Sequence, residues 1–176
     1  MINSGLIHIY TGDGKGKTTA SIGLIIRALG SGMRVILVQF LKNSPTSEIK
    51  ILESLNNIII LRGKGKCGFS FSMTQEQREE SLKVHNENLI KALKLVDENK
   101  CDMLVLDEVI GAYNHNLLDK NMLIDFLDNK KDSLEVVLTG RNPDEILIDR
   151  AHYISEIVKV RHPFDNGVKA RVGIER

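Results

Sequence analysis

The stretch that decides the fold is Tyr-Thr-Gly-Asp-Gly-Lys-Gly-Lys-Thr-Thr, residues 10–19. The apolar run just before it, residues 6–10, predicts a short strand. The apolar residues just after it fall on one face of a helix: Ile22, Ile25, Ile26 and Leu29. Glycines, lysines and threonines therefore lie at a strand-to-helix turn. Backbone N–H groups in such a turn can surround a phosphate, and the helix N-terminus adds partial positive charge.

The turn matches the phosphate-loop motif G-x-x-x-x-G-K-[ST] with one departure. Gly16, Lys17 and Thr18 complete the motif, but the position five before Gly16 is Thr11, and Gly12 comes one residue late. We expect Lys17 to reach the terminal phosphates of a nucleotide and Thr18 to ligate Mg²⁺. A glycine-rich turn can also exist for steric reasons alone. The strand before and the helix after favour nucleotide binding, although the loop does not identify the reaction.

Length and composition favour a single domain over residues 1–176. The net charge is +1, so no global basic field indicates a nucleic-acid partner. No apolar run reaches the roughly 18 residues of a membrane-spanning helix. The few residues before the first strand are too short for a signal peptide, so we expect a cytoplasmic protein. Cys67 and Cys101 lack metal-type spacing and are expected to be thiols.

Strand and helix patterns alternate along the rest of the chain. Further strands are predicted at residues 33–40, 58–61, 103–108, 135–140 and 154–160. Helices are predicted at 48–55, 74–99 and 116–129, and from the Asn-Pro-Asp-Glu sequence at 142–145. The capping box of the long helix begins at Thr74, with Ser72 as an alternative. The pattern predicts an α/β, P-loop NTPase-like (RecA-like) domain, with a mainly parallel sheet and helices on both faces.

Ligands of such sheets bind at the carboxyl ends of the strands, where several charged residues are predicted to lie. Asp107 and Glu108 end one strand and can hold Mg²⁺ together with Thr18. Alternatively the two acids begin a surface loop, or Glu108 is the base of an ATP hydrolase. Arg141 follows another strand and can bind phosphate with its fork. Arg27, on the first helix, is either a phosphate ligand or a solvated residue.

The loop at residues 63–71 combines glycines and lysines with two aromatic residues. Phe69 and Phe71 are two residues apart and would project the same way from an extended segment. They either anchor the loop on the core or form a lid over a large planar ligand.

The motifs together resemble the P-loop type of ATP:corrinoid adenosyltransferase, the CobA/BtuR family. The resemblance covers nearly the whole chain and rests on residues 10–19, 38–42, 68–71, 106–108, 139–141 and 161–175. The closing run, Arg-His-Pro-Phe-Asp-Asn-Gly-Val-Lys-Ala-Arg-Val-Gly-Ile-Glu, is the most specific part. A generic P-loop ATPase has no reason to carry it.

The resemblance implies transfer of the 5′-deoxyadenosyl group of ATP to Co(I) of a reduced corrinoid, with release of triphosphate and no protein nucleophile. Mg²⁺, which Mn²⁺ can replace, would be bound by Thr18, Glu108 and Asp107. Phe69 and Phe71 would face the corrinoid and displace its lower axial ligand. The implied nucleotide ligands are Gly12, Asp13, Gly14, Lys15, Gly16, Lys17, Thr18, Thr19, Arg27 and Arg141. The implied partners are an electron donor, such as a reduced flavoprotein, and a second subunit of a homodimer. The resemblance implies no binding to nucleic acid or to a membrane.

The chain departs from the family pattern in three places. It begins almost at the first strand, where many members have a longer N-terminal arm. Phe71 replaces a frequent tryptophan, and Asp13 replaces a frequent asparagine, which adds negative charge near phosphate. The shifted Gly12 is compatible with the reversed seating of triphosphate expected in the family. Two other functions fit the phosphate loop: a P-loop kinase or ATP-hydrolysing switch, and a RecA-like nucleic-acid-binding ATPase.

Overall fold

The fold is built around a six-stranded sheet, seen in a computed structural model that describes residues 4–42, 46–63 and 73–175. The strand order is β3-β2-β4-β5-β1-β6, and every neighbouring pair is parallel. The strands are β1 (Ile7–Thr11), β2 (Val35–Gln39), β3 (Ile58–Arg62), β4 (Met103–Asp107), β5 (Glu135–Thr139) and β6 (Tyr153–Glu156). The parallel sheet confirms the predicted fold class.

The helices lie between the strands, as the alternating pattern predicts. They are α1 (Lys17–Gly30), α2 (Ser47–Leu52), α3 (Gln75–Asp97), α4 (Val109–Asn114), α5 (Lys120–Asn129) and α6 (Glu145–Ile148). A short 3₁₀-helix follows at Pro163–Asn166. The capping box at Thr74 is present, since its side chain accepts from Gln77 N and the Gln77 side chain accepts from Thr74 N. Within the described ranges, no helix has the length and apolar character needed to cross a bilayer.

Two apolar cores cover the two faces of the sheet. Ile25 of α1 and Ile49 of α2 pack against one face, while Leu89 of α3, Ile110 of α4 and Leu123 of α5 pack against the other. Every residue of β2 and β4 is buried because both faces of these strands are covered. Each fully buried leucine or isoleucine contributes about 1.5–3 kcal/mol relative to an exposed one. This double burial explains the continuous apolar runs in the sequence.

The helix predicted at residues 116–129 begins later than expected, at Lys120. Asp119 is its N-cap and accepts a hydrogen bond from Met122 N at 3.1 Å.

The sequence analysis missed α4, whose six residues include glycine, valine and isoleucine, all weaker helix formers than alanine. The helix α4 is stabilised by burial of its apolar side chains on the sheet and not by a high helix propensity of its residues.

Three other element boundaries also differ from the predictions. The helix predicted at 48–55 spans only Ser47–Leu52, and the one after Asn142 is a single turn capped by Asp144. The last strand ends at Glu156 rather than residue 160. It ends there because its partner strand β1 also ends, at Thr11, which pairs with Glu156. The next residue, Ile157, forms backbone hydrogen bonds with the phosphate loop and donates to Thr11 O at 2.9 Å.

Candidate functional site

The phosphate loop is held in shape by its glycines and by the backbone of Ile157. Gly12 and Gly16 have φ values of 100° and 131°, which glycine adopts without steric cost. Gly14 N donates to Ile157 O at 2.7 Å, and a Cβ on Gly14 would lie 2.6 Å from that oxygen. Gly12 and Gly16 are therefore explained by their positive φ angles, and Gly14 by the close approach of the Ile157 backbone.

Lys17 closes the loop from inside. Its buried ammonium donates to Gly12 O at 2.7 Å and to Gly14 O at 2.9 Å. Burial lowers the pKa of Lys17, and the positive charge of Arg141 lowers it further. The N-cap of α1 is Gly16, which has no side chain to bond the first N–H groups of the helix. A helix N-terminus of this kind, beside a buried ammonium, suits an anion such as phosphate.

Asp107 is the centre of a buried polar cluster at the carboxyl end of β4. It is fully buried, and its Oδ1 accepts from Thr18 Oγ1 at 3.1 Å and from Thr139 Oγ1 at 2.8 Å. Its Oδ2 accepts from Lys42 Nζ at 2.8 Å and from Gln39 Nε2 at 3.2 Å. The cluster forms because β2, β4 and β5 are neighbours and end at the same edge of the sheet. Four donors therefore satisfy the two oxygens of this buried carboxylate.

Glu108 follows directly and lines the cleft that opens over the phosphate loop. Its backbone is left-handed, with φ 61°, and its N–H donates to Thr139 Oγ1 at 2.8 Å. Burial raises the pKa of Glu108, while the positive charges of Lys42 and Lys17 oppose that rise. A non-glycine residue in this conformation is uncommon and often marks a functional position.

The residues fit the predicted magnesium site. The described chain has no group of three or more His, Cys, Asp or Glu side chains that could hold a metal alone. Thr18, Asp107 and Glu108 instead supply a hydroxyl and two carboxylates, and Mg²⁺ usually takes its other ligands from phosphate and water. The Lys42 ammonium lies 2.6 Å from Thr18 Oγ1, which shows that a cation is accepted there. The buried Gln39 Oε1 accepts no hydrogen bond from any described residue.

A cleft of about 440 Å³ opens over the phosphate loop and brings most of the predicted ligands together. Residues 14–19, Glu108 and Arg141 line it. The closing run contributes His162 and residues 173–175, which the sequence analysis connected to the site only through the family resemblance. A second cavity of about 420 Å³ adjoins it and adds Asp13 and Lys159, among others. These volumes suit a small-molecule ligand.

The charged ligands predicted around the phosphate loop differ in their surroundings. Arg141 is exposed, and its Nη2 is 3.4 Å from Asp13 O. The Asp13 carboxylate accepts from Lys159 N at 2.8 Å, and this hydrogen bond lowers the pKa of Asp13. Arg27 is exposed on the last turn of α1, about 15 Å along the helix from Lys17, and does not line the cleft. A phosphate contact by Arg27 stays a prediction.

Phe69 and Phe71 lie outside the described residues, so their predicted role also stays a prediction.

The sequence analysis assigned no role to three polar side chains of the Asp107 cluster. These are Gln39, Lys42 and Thr139. Each lies at or just after the carboxyl end of a strand, which is the signal that could have identified them. Choosing them required the strand order, because only that order makes the ends of β2 and β5 the neighbours of Asp107.

Comparison with known proteins agrees with the family resemblance along almost the whole chain. The model of the family described as ATP:corrinoid adenosyltransferase BtuR/CobO/CobP matches residues 3–176. A corrinoid adenosyltransferase of Sinorhizobium sp. is 33% identical over 174 residues, covering 97% of this chain and 80% of the relative. Corrinoid adenosyltransferases of Escherichia coli K12 and Salmonella typhimurium are 32% and 33% identical, each over 97% of this chain and 85% of the relative.

A solved structure resembles the fold. The crystal structure of a KaiC-like protein from Pyrococcus horikoshii superposes with a TM-score of 0.54 and 14% sequence identity, covering 88% of this chain and 73% of the other. At this identity the likeness shows the fold alone.

Proposed function

Because the chain belongs to the ATP:corrinoid adenosyltransferase family, we propose that it transfers the 5′-deoxyadenosyl group of ATP to Co(I) of a reduced corrinoid. Co(I) attacks the ribose C5′, and the C5′–O bond breaks with its electron pair leaving on the triphosphate. Cobalt is thereby oxidised to Co(III) as the new cobalt–carbon bond forms. The observation that supports this proposal most is the cleft itself, where the phosphate loop and the Asp107 cluster face one ligand space.

The phosphate loop holds the leaving group. The N–H groups of residues 12–19 surround the triphosphate, and Lys17 exchanges its carbonyl partners for phosphate oxygens. Arg141 adds positive charge beside the loop, where its Nη2 is 3.4 Å from Asp13 O. Because the triphosphate departs as a unit, contacts that strengthen as its charge develops lower the barrier.

Thr18, Asp107 and Glu108 would hold Mg²⁺, or Mn²⁺ in its place. Bound there, the metal supplies positive charge that neutralises the departing triphosphate. The four donors to Asp107 fix the orientation of its carboxylate. No protein side chain needs to act as nucleophile, so the protein contributes position and electrostatics.

The corrinoid would be received by Phe69 and Phe71, which displace its lower axial ligand. Loss of that ligand makes Co(II) easier to reduce, so an electron donor such as a reduced flavoprotein can produce Co(I). We further propose that the protein works in the cytoplasm as a homodimer. These parts of the proposal rest on the family resemblance.

One assay separates this function from the alternatives. The protein is incubated with ATP, Mg²⁺ and chemically reduced cobalamin, and both the visible spectrum and the phosphate product are followed. We expect adenosylcobalamin and triphosphate in equal amounts. ADP or orthophosphate as the main product would instead indicate a kinase or hydrolase and overturn the proposal.

Two variants make the assay specific to the cleft. Lys17→Met removes the buried ammonium and is expected to abolish adenosyl transfer. Lys50→Met removes an exposed ammonium of α2 and is expected to retain wild-type activity. Equal activity of the two variants would show that the reaction does not use the phosphate loop.

A further inference from the structure

Lys42 lies where a cation would bind between the phosphate loop and the buried carboxylate. Its Nζ is 2.6 Å from Thr18 Oγ1 and 2.8 Å from Asp107 Oδ2. The side chain is 26% exposed and the Asp107 side chain only 1%. The ammonium therefore makes a largely desolvated ion pair, in which removing either partner leaves the other charge buried and unpaired.

The backbone around Lys42 is held in place from two sides. Leu41 is left-handed, with φ 56°, and its N–H donates to Nε2 of the buried His85 at 3.3 Å. His85 Nδ1 in turn donates to Leu117 O at 2.8 Å, which fixes the ring tautomer. Arg62 donates to Lys42 O at 3.1 Å. An uncommon backbone conformation with such support indicates that the position of Lys42 is specified by the fold.

A divalent ion and the Lys42 ammonium compete for the same oxygens. Mg²⁺ binds oxygen at about 2.0–2.1 Å. An ion bound to Thr18 Oγ1 beside Asp107 would lie within a few ångströms of Nζ in its present position, where like charges repel strongly. The ammonium must therefore move before the metal can bind.

A bound anion offers the displaced ammonium a new partner in the cleft. Lys42 lines the same cleft as residues 14–19 of the phosphate loop and its helix. A phosphate oxygen bound there can accept from the ammonium after it leaves Asp107. Free metal brings no such acceptor with it, so it would displace Lys42 with less compensation.

We propose that Lys42 couples metal binding to triphosphate binding, blocking free divalent metal and yielding its place only when triphosphate arrives. The identity of the anion rests on the proposed function. Lys42 then serves as a positioning residue for the triphosphate. Removing its charge has two opposite consequences: free metal binds more tightly, and triphosphate without metal binds more weakly. A lysine that only stabilises the fold would not produce this pair of effects.

The first measurement is metal binding in the absence of nucleotide. Mn²⁺ is titrated into the protein, and the unbound ion is followed by electron paramagnetic resonance. Lys42→Met is expected to bind Mn²⁺ at least about tenfold more tightly than the wild type, because a like charge within a few ångströms is removed. Lys42→Arg keeps the charge and is expected to bind as weakly as the wild type. Lys50→Met controls for the loss of one positive charge elsewhere on the protein.

The second measurement is binding of inorganic triphosphate in EDTA, by isothermal titration calorimetry. Lys42→Met is expected to bind about tenfold more weakly, the loss of one charge-assisted contact. Lys50→Met is expected to match the wild type. Lys42→Gln replaces the ammonium by a neutral amide that still donates hydrogen bonds to Asp107, so it tests charge even if the methionine variant fails to fold.

The proposal is overturned if a folded, charge-removing variant binds Mn²⁺ no more tightly than the wild type, or binds triphosphate equally well. Circular dichroism and the melting temperature verify folding of each variant. Both assays use inorganic ligands alone, so their outcome is independent of adenosyl transfer. If the charge-removing variants bind Mn²⁺ more tightly and triphosphate more weakly, but the wild-type protein makes no adenosylcobalamin, the role of Lys42 is supported and the proposed function is overturned.

Discussion

Thr139 Oγ1 donates a hydrogen bond to Asp107 Oδ1 at 2.8 Å, across the neighbouring ends of β5 and β4. The same hydroxyl accepts the N–H of Glu108 at 2.8 Å. One buried hydroxyl thus connects the carboxylate of Asp107 to the left-handed backbone that aims Glu108 at the cleft. The orientation of both acids depends on this contact.

Replacing Thr139 by valine should test this dependence. Thr139→Val leaves Asp107 without one donor and Glu108 N without its acceptor, so the free energy of unfolding should fall by about 1–3 kcal/mol. Urea denaturation measures the loss. Thr139→Ser keeps the hydroxyl and should lose clearly less. A loss in Thr139→Ser as large as that in Thr139→Val would mean that the methyl group contributes as much as the hydroxyl and would contradict the special role of this contact.

The close approach of Ile157 to the phosphate loop predicts a sharp difference between two glycines. A Cβ on Gly14 would lie 2.6 Å from Ile157 O, whereas a Cβ on Gly23 of α1 meets nothing within 4 Å. Gly14→Ala should therefore weaken ATP binding at least about tenfold, the scale of losing one good contact. Gly23→Ala should retain ATP affinity and stabilise the helix by about 0.5–1 kcal/mol. Calorimetric titration and urea denaturation measure the two effects, and unchanged affinity in Gly14→Ala would contradict the role of the contact.

Asp13 gives the loop a negative charge that the family pattern does not require. Asp13→Asn keeps an oxygen for the N–H of Lys159, which now donates to the carboxylate at 2.8 Å. Removing the charge beside phosphate should tighten ATP binding about two- to fivefold at low salt, and less at high salt because exposed charges are screened. Titration at two ionic strengths checks this. An affinity that is the same in both proteins at low salt would show that the charge is already neutralised.

His85 predicts a loss of stability at acidic pH. Burial lowers the pKa of His85, which lies between Leu41 N and Leu117 O as a neutral ring. The unfolded state takes up a proton near pH 6.5 and the folded state does so only at lower pH, so stability falls as pH decreases below about 6.5.

The matched variant is His85→Gln, which cannot titrate. It should be less stable at pH 8, but should lose less further stability between pH 7.5 and pH 5 than the wild type. Urea midpoints over this range provide the measurement. Parallel pH profiles for the two proteins would assign the acid sensitivity to other groups.

Phe69 should matter most for the reduction step. If Phe69 and Phe71 displace the lower axial ligand of the corrinoid, Phe69→Ala will reduce turnover with Co(II) substrate and a reductant more than turnover with pre-reduced Co(I). The two rates are compared in the adenosyl-transfer assay. Equal losses in both conditions would count against the axial-ligand role.

The sequence by itself determined the features that short stretches carry. The phosphate loop, the strands and the pair Asp107-Glu108 were predicted because glycine spacing and continuous apolar runs are local patterns. Parallel topology followed from the alternation of strands and helices. Element ends were less accurate where tertiary burial outweighed local propensity, as in α4.

The tertiary structure alone decided which residues surround the acids and the loop. Lys42, Thr139 and Gln39 reach Asp107 because β2 and β5 flank β4, and strand order has no signal in any short stretch of sequence. Ile157 shapes the phosphate loop from about 140 residues away through backbone hydrogen bonds, which leave no side-chain pattern. The sequence thus predicted an anion site, whereas the proposed competition between Lys42 and a metal rests on packing.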